Sequence, residues 1–191
     1  MSIGVLWKAG AAQASQPEEH MDHVYWVKPG LLAGRCGPDK VPWDVGALYA
    51  RGFRTVVTVA SEVPVGDLAP YGLHHRREPV LPLPWLTWLG QRRLARRLMP
   101  LLEFIHAELA ARRPVLVHCH DGDDRTGVVL AGYLVIYAGL VWRSAVACVR
   151  DANPRAMKMP GYAGTVRWFR RPSTSDVPGQ AVAACGEGGD L

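Results

Sequence analysis

One run of the chain, Val117-His118-Cys119-His120-Asp121-Gly122-Asp123-Asp124-Arg125-Thr126-Gly127, concentrates residue types that can do chemistry together. An apolar strand delivers a cysteine to a tight loop that contains Gly122 and runs into a helix N-terminus. Successive backbone N–H groups in such a loop point inward and make an anion nest, which the helix dipole reinforces. The same positive surroundings hold a thiol as its nucleophilic thiolate at neutral pH. Arg125 can grip two oxygens of a phosphate with its planar fork. Thr126 can donate to the thiolate, and His118 can brace the loop from below. The chemistry this predicts is in-line attack of Cys119 on a phosphate monoester, a phosphocysteine, and equatorial oxygens held by the nest and Arg125. His120, Gly122, Asp123, Thr126 and Gly127 would line the bound phosphate, and no metal or organic cofactor enters the scheme.

The loop also carries three acids. Two like charges about 6 Å apart repel by roughly 3 kcal/mol at an effective dielectric near 20. Three ionised aspartates around a phosphate dianion and a thiolate are therefore hard to sustain. Some turn outward or pair with a base, or one keeps its proton, which is what general-acid catalysis requires.

The elements that must position this loop are legible in the apolar pattern. Thr55–Ala60 and Val115–Val117 are β-branched, continuously apolar runs, as expected of strands buried on both faces. Val24–Val27 and Leu31–Ala33 flank Pro29-Gly30 as a hairpin, and Leu73–Val80 reads as a weaker strand. Short helices are predicted over Pro42–Arg51, Trp142–Ala152 and Gly161–Arg170, and a buried one over Arg125–Ala138. In Gln91–Arg113, residues Leu94, Leu98, Leu101, Leu102, Ile105 and Leu109 share one face opposite a row of arginines. Pro100 should kink this helix or begin a second one. Strands alternating with helices predict an α/β fold with a central, mostly parallel sheet flanked by helices.

The 191 residues suit one domain, over 23–171, with 49% hydrophobic and 20% charged residues. Residues 1–22 read as a loose lead and 172–191, rich in Gly, Ser, Pro and Ala, as a disordered tail. The formal net charge is +5, with basic clusters at His74–Arg77, Arg92–Arg97, Arg112–Arg113 and Arg167–Arg171. Their summed field would draw anionic substrates inward. No aromatic platform or recognisable module accompanies them, so nucleic acid is not the expected partner. Cys36, Cys119, Cys148 and Cys185 are scattered without metal-ligand spacing, which suits a reducing cytoplasm. The apolar run from Gly127 to Trp142 is too short for a membrane span. Ala12-Gln13-Ala14 follows a stretch broken by Lys8 and is not read as an export signal. Cys36 reads as an ordinary thiol, with a redox link to Cys119 as the sharper alternative.

With Cys-(x)5-Arg-Thr-Gly after a strand, the chain resembles the protein tyrosine and dual-specificity phosphatases over residues 23–170. Trp26-Val27-Lys28-Pro29-Gly30-Leu31-Leu32-Ala33-Gly34 is similar to the N-terminal hairpin of their small bacterial and archaeal members. The resemblance implies a dual-specificity-phosphatase-like fold and a phosphorylated protein or small phosphate monoester as substrate. In familiar members an aspartate on an upstream loop protonates the leaving oxygen. Here Leu81-Pro82-Leu83-Pro84-Trp85 places Trp85 at that point, and Asp67 and Glu78 are the nearby acids. Asp121, Gly122 and Asp124 reproduce a Cys-x-Asp-Gly-x-Asp-Arg spacing that resembles the myotubularin lipid phosphatases. That likeness implies Asp124 as the acid, Asp121 next, and an anionic lipid headgroup as an alternative substrate. Asp123 stands where similar bacterial loops often carry lysine, which favours phosphotyrosine. Two rivals remain at this stage: a sulfurtransferase, disfavoured by the loop length, and a weakly catalytic phospho-binding module, disfavoured by the intact nucleophile.

Overall fold

The computed structural model describes residues 23–81 and 87–170. Five strands form one sheet in the order β1-β2-β5-β3-β4, made of β1 (Tyr25–Lys28), β2 (Leu32–Arg35), β3 (Thr55–Ala60), β4 (His74–Val80) and β5 (Val115–His118). Only β1 and β2 pair antiparallel, as the hairpin around Gly30, and the other three pairings are parallel. Five helices flank the sheet: α1 (Val45–Ala50), α2 (Trp88–Ala110), α3 (Asp124–Tyr137), α4 (Trp142–Ala152) and α5 (Tyr162–Val166). The expected α/β architecture with a mostly parallel central sheet is what forms.

β3 is buried at every position, because side chains on both of its faces meet apolar partners. On one face Val57, Val59, Val115 and Val117 pack against α2–α5 in the large core. On the other, Val56, Leu116 and Ala33 join Leu48 and Phe53 in a smaller core. α3 is buried almost all round, with Val128, Val129, Leu130 and Leu134 essentially inaccessible. Each such side chain contributes about 1.5–3 kcal/mol, so the helix that opens at the reactive loop is anchored along its whole length.

The structure corrects several boundaries. α2 begins at Trp88, capped by the Thr87 hydroxyl, and runs without interruption through Pro100 to Ala110. The apolar stripe of the helix outweighs the one hydrogen bond Pro100 removes. α1 starts at Val45 because Asp44 caps it, accepting from the Ala47 N–H at 3.0 Å. α5 spans only Tyr162–Val166. The expected lead, the tail and Trp85 lie outside the described residues.

Candidate active site

β5 ends at His118, the next residue is Cys119, and α3 begins at Asp124, so the reactive loop joins the sheet's central strand to its most buried helix. Cys119 is 2% exposed, and the Gly122 N–H donates to its sulfur at 3.2 Å. Gly122 has φ +80°, and a Cβ there would lie 2.6 Å from the carbonyl of Arg35 and the nitrogen of Cys36. Only glycine lets the loop turn this tightly against β2. The back of the loop is tied down as well. Tyr25 packs across the bare backbone of its cross-strand partner Gly34, which lets its hydroxyl donate to the Gly122 carbonyl at 2.5 Å.

The structure sorts the three aspartates. Asp121 pairs with Lys40 and lies 3.3 Å from His120 Nδ1. The Lys40 ammonium, foremost, holds its carboxyl below the usual range. Asp123 accepts from the Asn153 amide at 2.9 Å and meets Arg155 at 3.5 Å. Asp124, in the first turn of α3, has no basic partner among the described residues and accepts from the Met159 N–H at 3.1 Å. Burial, chiefly, with Asp123 and Asp121 adding repulsion, pushes its carboxyl up. Asp124 is thus the loop acid whose surroundings favour the protonated form.

Arg125 is 8% exposed and donates to the Val80 carbonyl at 3.1 Å and to Glu62 Oε1 at 2.5 Å. Its hydrogen bond to Arg125 holds the Glu62 carboxyl down at about 2. Glu62 escaped the sequence reading because nothing local marks it. It follows β3 at the carboxyl edge of the sheet, where parallel folds place their sites, and that position was the available signal. Thr126 is fully buried, and its hydroxyl has no hydrogen-bond partner among the described groups, so it does not donate to the sulfur as expected. That position belongs to Gly122. Gly127 lies inside α3 against Met157 and Ala156, which would crowd a side chain there.

His118 is fully buried at the end of β5, with Nδ1 3.2 Å from the Cys119 carbonyl and Nε2 2.7 Å from Thr58 Oγ1. A carbonyl only accepts, so Nδ1 carries the proton and Nε2 accepts from the Thr58 hydroxyl. Thr58 Oγ1 also lies 2.8 Å from His75 Nε2. Having spent its proton on His118, Thr58 must accept there. A one-way chain therefore runs from His75 through Thr58 and His118 to the carbonyl of the cysteine. Burial, chiefly, drives the His118 imidazole down to about 3, so it stays neutral.

The remaining candidates have other partners, although the backbone of Cys36 lies against Gly122 of the loop. Asp67 caps the Ala69 N–H, and Glu78 is held between Arg76 and Arg97. Cys36 lines a cavity of about 210 Å³ with Tyr25, Asp121, Asp123, Asn153 and Arg155, and burial pushes its thiol up, away from thiolate. Among the described residues no group of His, Cys, Asp and Glu is arranged to hold a metal ion, and no helix is long and apolar enough to cross a membrane.

Residues 21–174 match the family described as Swiss Army Knife protein, DSP-PTPase phosphatase domain. The chain belongs to this family. Dual specificity protein phosphatase 12 of Mus musculus is 28% identical over 152 residues, which is 79% of this chain and 42% of that protein. The chain thus spans less than half the length of this relative. The crystal structure of human DUSP28 is 26% identical, with a TM-score of 0.62 over 76% of this chain and 91% of that one. Tk-PTP in its active form, 24% identical with a TM-score of 0.59 over 76% and 93%, shares the fold. As a member of the dual-specificity phosphatase family, the chain keeps its cysteine and arginine in the strand–loop–helix setting the sequence implied.

Proposed function

We propose that the chain is a cysteine-dependent phosphatase of phosphate monoesters, acting foremost on phosphotyrosine in proteins. The observation that carries this is the loop around Cys119: a buried thiol under an inward-facing N–H, at the head of α3, beside a buried arginine. The Cys119 thiolate attacks phosphorus in line, an S–P bond forms, and the P–O bond to the leaving group breaks. Asp124 gives its proton to the leaving oxygen, then takes one from the water that cleaves the S–P bond and frees phosphate. Arg125 and the loop N–H groups hold the equatorial oxygens throughout. His120 and Asp123 would line the rim.

Cys119 is 2% exposed, so a substrate phosphate must be carried on a group narrow enough to reach a covered sulfur, and a flat tyrosyl ring is the group we favour.

The test is hydrolysis of para-nitrophenyl phosphate without metal, for the wild type and Cys119→Ser. Turnover in the first and none in the second, with both proteins folded, is expected. A serine variant at wild-type rate would overturn the mechanism. Tight binding of phosphate esters without wild-type turnover would instead make the chain a binding module.

A further inference from the structure

α2 presents two faces of opposite character. Leu94, Leu98, Leu101, Leu102 and Ile105 are buried in the large core. At 100° per residue, the opposite side of the first three turns carries Trp88, Leu89, Arg92, Arg93 and Arg96 as one continuous stripe. Trp88 is 56% exposed and Leu89 47%, and the three arginines are exposed beside them. No acidic residue occurs on the helix before Glu103. A solvated helix face ordinarily mixes both charges and leaves large apolar groups scattered singly. Here two neighbouring apolar groups sit at the tip of a wholly cationic stripe.

We propose that this face of α2 docks the domain on an anionic lipid surface. Trp88 and Leu89 would enter the headgroup boundary while Arg92, Arg93 and Arg96 neutralise lipid phosphates. A convex helix carrying exposed arginines, Arg92 resting over the Trp168 ring, gives a folded acidic partner little shape to grip, but it suits a fluid anionic plane. Gln91, in the same turns, packs on Gly164 of α5. The inference rests on the helix surface alone and stands or falls independently of turnover.

The experiment is co-sedimentation of the full chain with phosphatidylcholine vesicles, with and without phosphatidylserine, alongside para-nitrophenyl phosphate hydrolysis. Binding is expected only with phosphatidylserine, weakening as salt rises. The Arg92→Ser, Arg93→Ser, Arg96→Ser triple variant should bind on the order of a hundredfold more weakly. Trp88→Ala with Leu89→Ala should also lose binding, and both variants should keep the wild-type kcat at saturating para-nitrophenyl phosphate. A control triple away from this stretch, Arg51→Ser, Arg112→Ser and Arg143→Ser, should bind like wild type. Equal loss in the control would reduce the effect to net charge and overturn the proposal. So would equal binding to neutral vesicles, or capture of polyglutamate without capture of vesicles.

Discussion

Thr58 and His118 are register partners on the paired strands β3 and β5, and the threonine hydroxyl meets the imidazole Nε2 at 2.7 Å. The Cys119 carbonyl, which only accepts, places the proton of His118 on Nδ1. Nε2 is thereby left as an acceptor, and the Thr58 hydroxyl supplies its proton at the base of the Cys119 loop. A single hydroxyl thus links the sheet register to the seat of the nucleophile.

Replacing Thr58 with valine keeps the shape but leaves His118 Nε2 buried without a donor. We expect a loss of about 1–3 kcal/mol in stability, together with a fall in kcat on para-nitrophenyl phosphate. Thr58→Ser should restore both. Wild-type urea unfolding and wild-type kcat in Thr58→Val would show that the hydroxyl is dispensable.

His118 also makes stability depend on pH. Its folded-state value of about 3 lies below the ordinary 6.5, so the unfolded chain binds the proton first. The neutral, buried imidazole is fully compatible with the fold above pH 6.5. Stability should then fall by about 1.4 kcal/mol per pH unit through the window below it, toward pH 3. Urea unfolding between pH 7 and pH 4.5 should show this slope, and His118→Asn should flatten it. An equal slope in the variant would assign the acid sensitivity elsewhere.

Asp124, with its carboxyl pushed up by burial, keeps its proton to higher pH than an exposed aspartate. Hydrolysis of alkyl phosphates, whose leaving groups need a proton, should decline on the alkaline side as Asp124 ionises. Asp124→Asn should remove that decline and slow alkyl substrates by about 10²–10⁴-fold, with a smaller effect on para-nitrophenyl phosphate. Asp121→Asn, at a carboxylate neutralised by Lys40, should act only weakly. If the two variants behaved alike, Asp124 would lose its role as the acid.

Glu62 holds the guanidinium of Arg125 at 2.5 Å. Glu62→Gln should leave the arginine less well oriented and lower kcat/KM by roughly tenfold or more, since small displacements at a reacting centre are costly. Unchanged kinetics would reduce the pair to a surface contact.

The sequence by itself determined the chemistry and the frame that carries it. Cysteine, glycine, arginine and helix start are neighbours along the chain, so their spacing alone specifies a loop that collects N–H groups at one point. Continuous β-branched runs such as Thr55–Ala60 likewise announce strands covered on both faces. What only the tertiary structure decided is which ionisable groups share a dielectric and a partner. Asp121, Asp123 and Asp124 are equivalent in composition, and they diverge because Lys40, Asn153 and Arg155 arrive from distant segments while Asp124, half-buried, accepts from the backbone N–H of Met159. Glu62 and Thr58 were silent for the same reason: their partners lie 63 and 60 residues away. Proton placement depends on distance and burial across the fold, and a one-dimensional pattern carries neither.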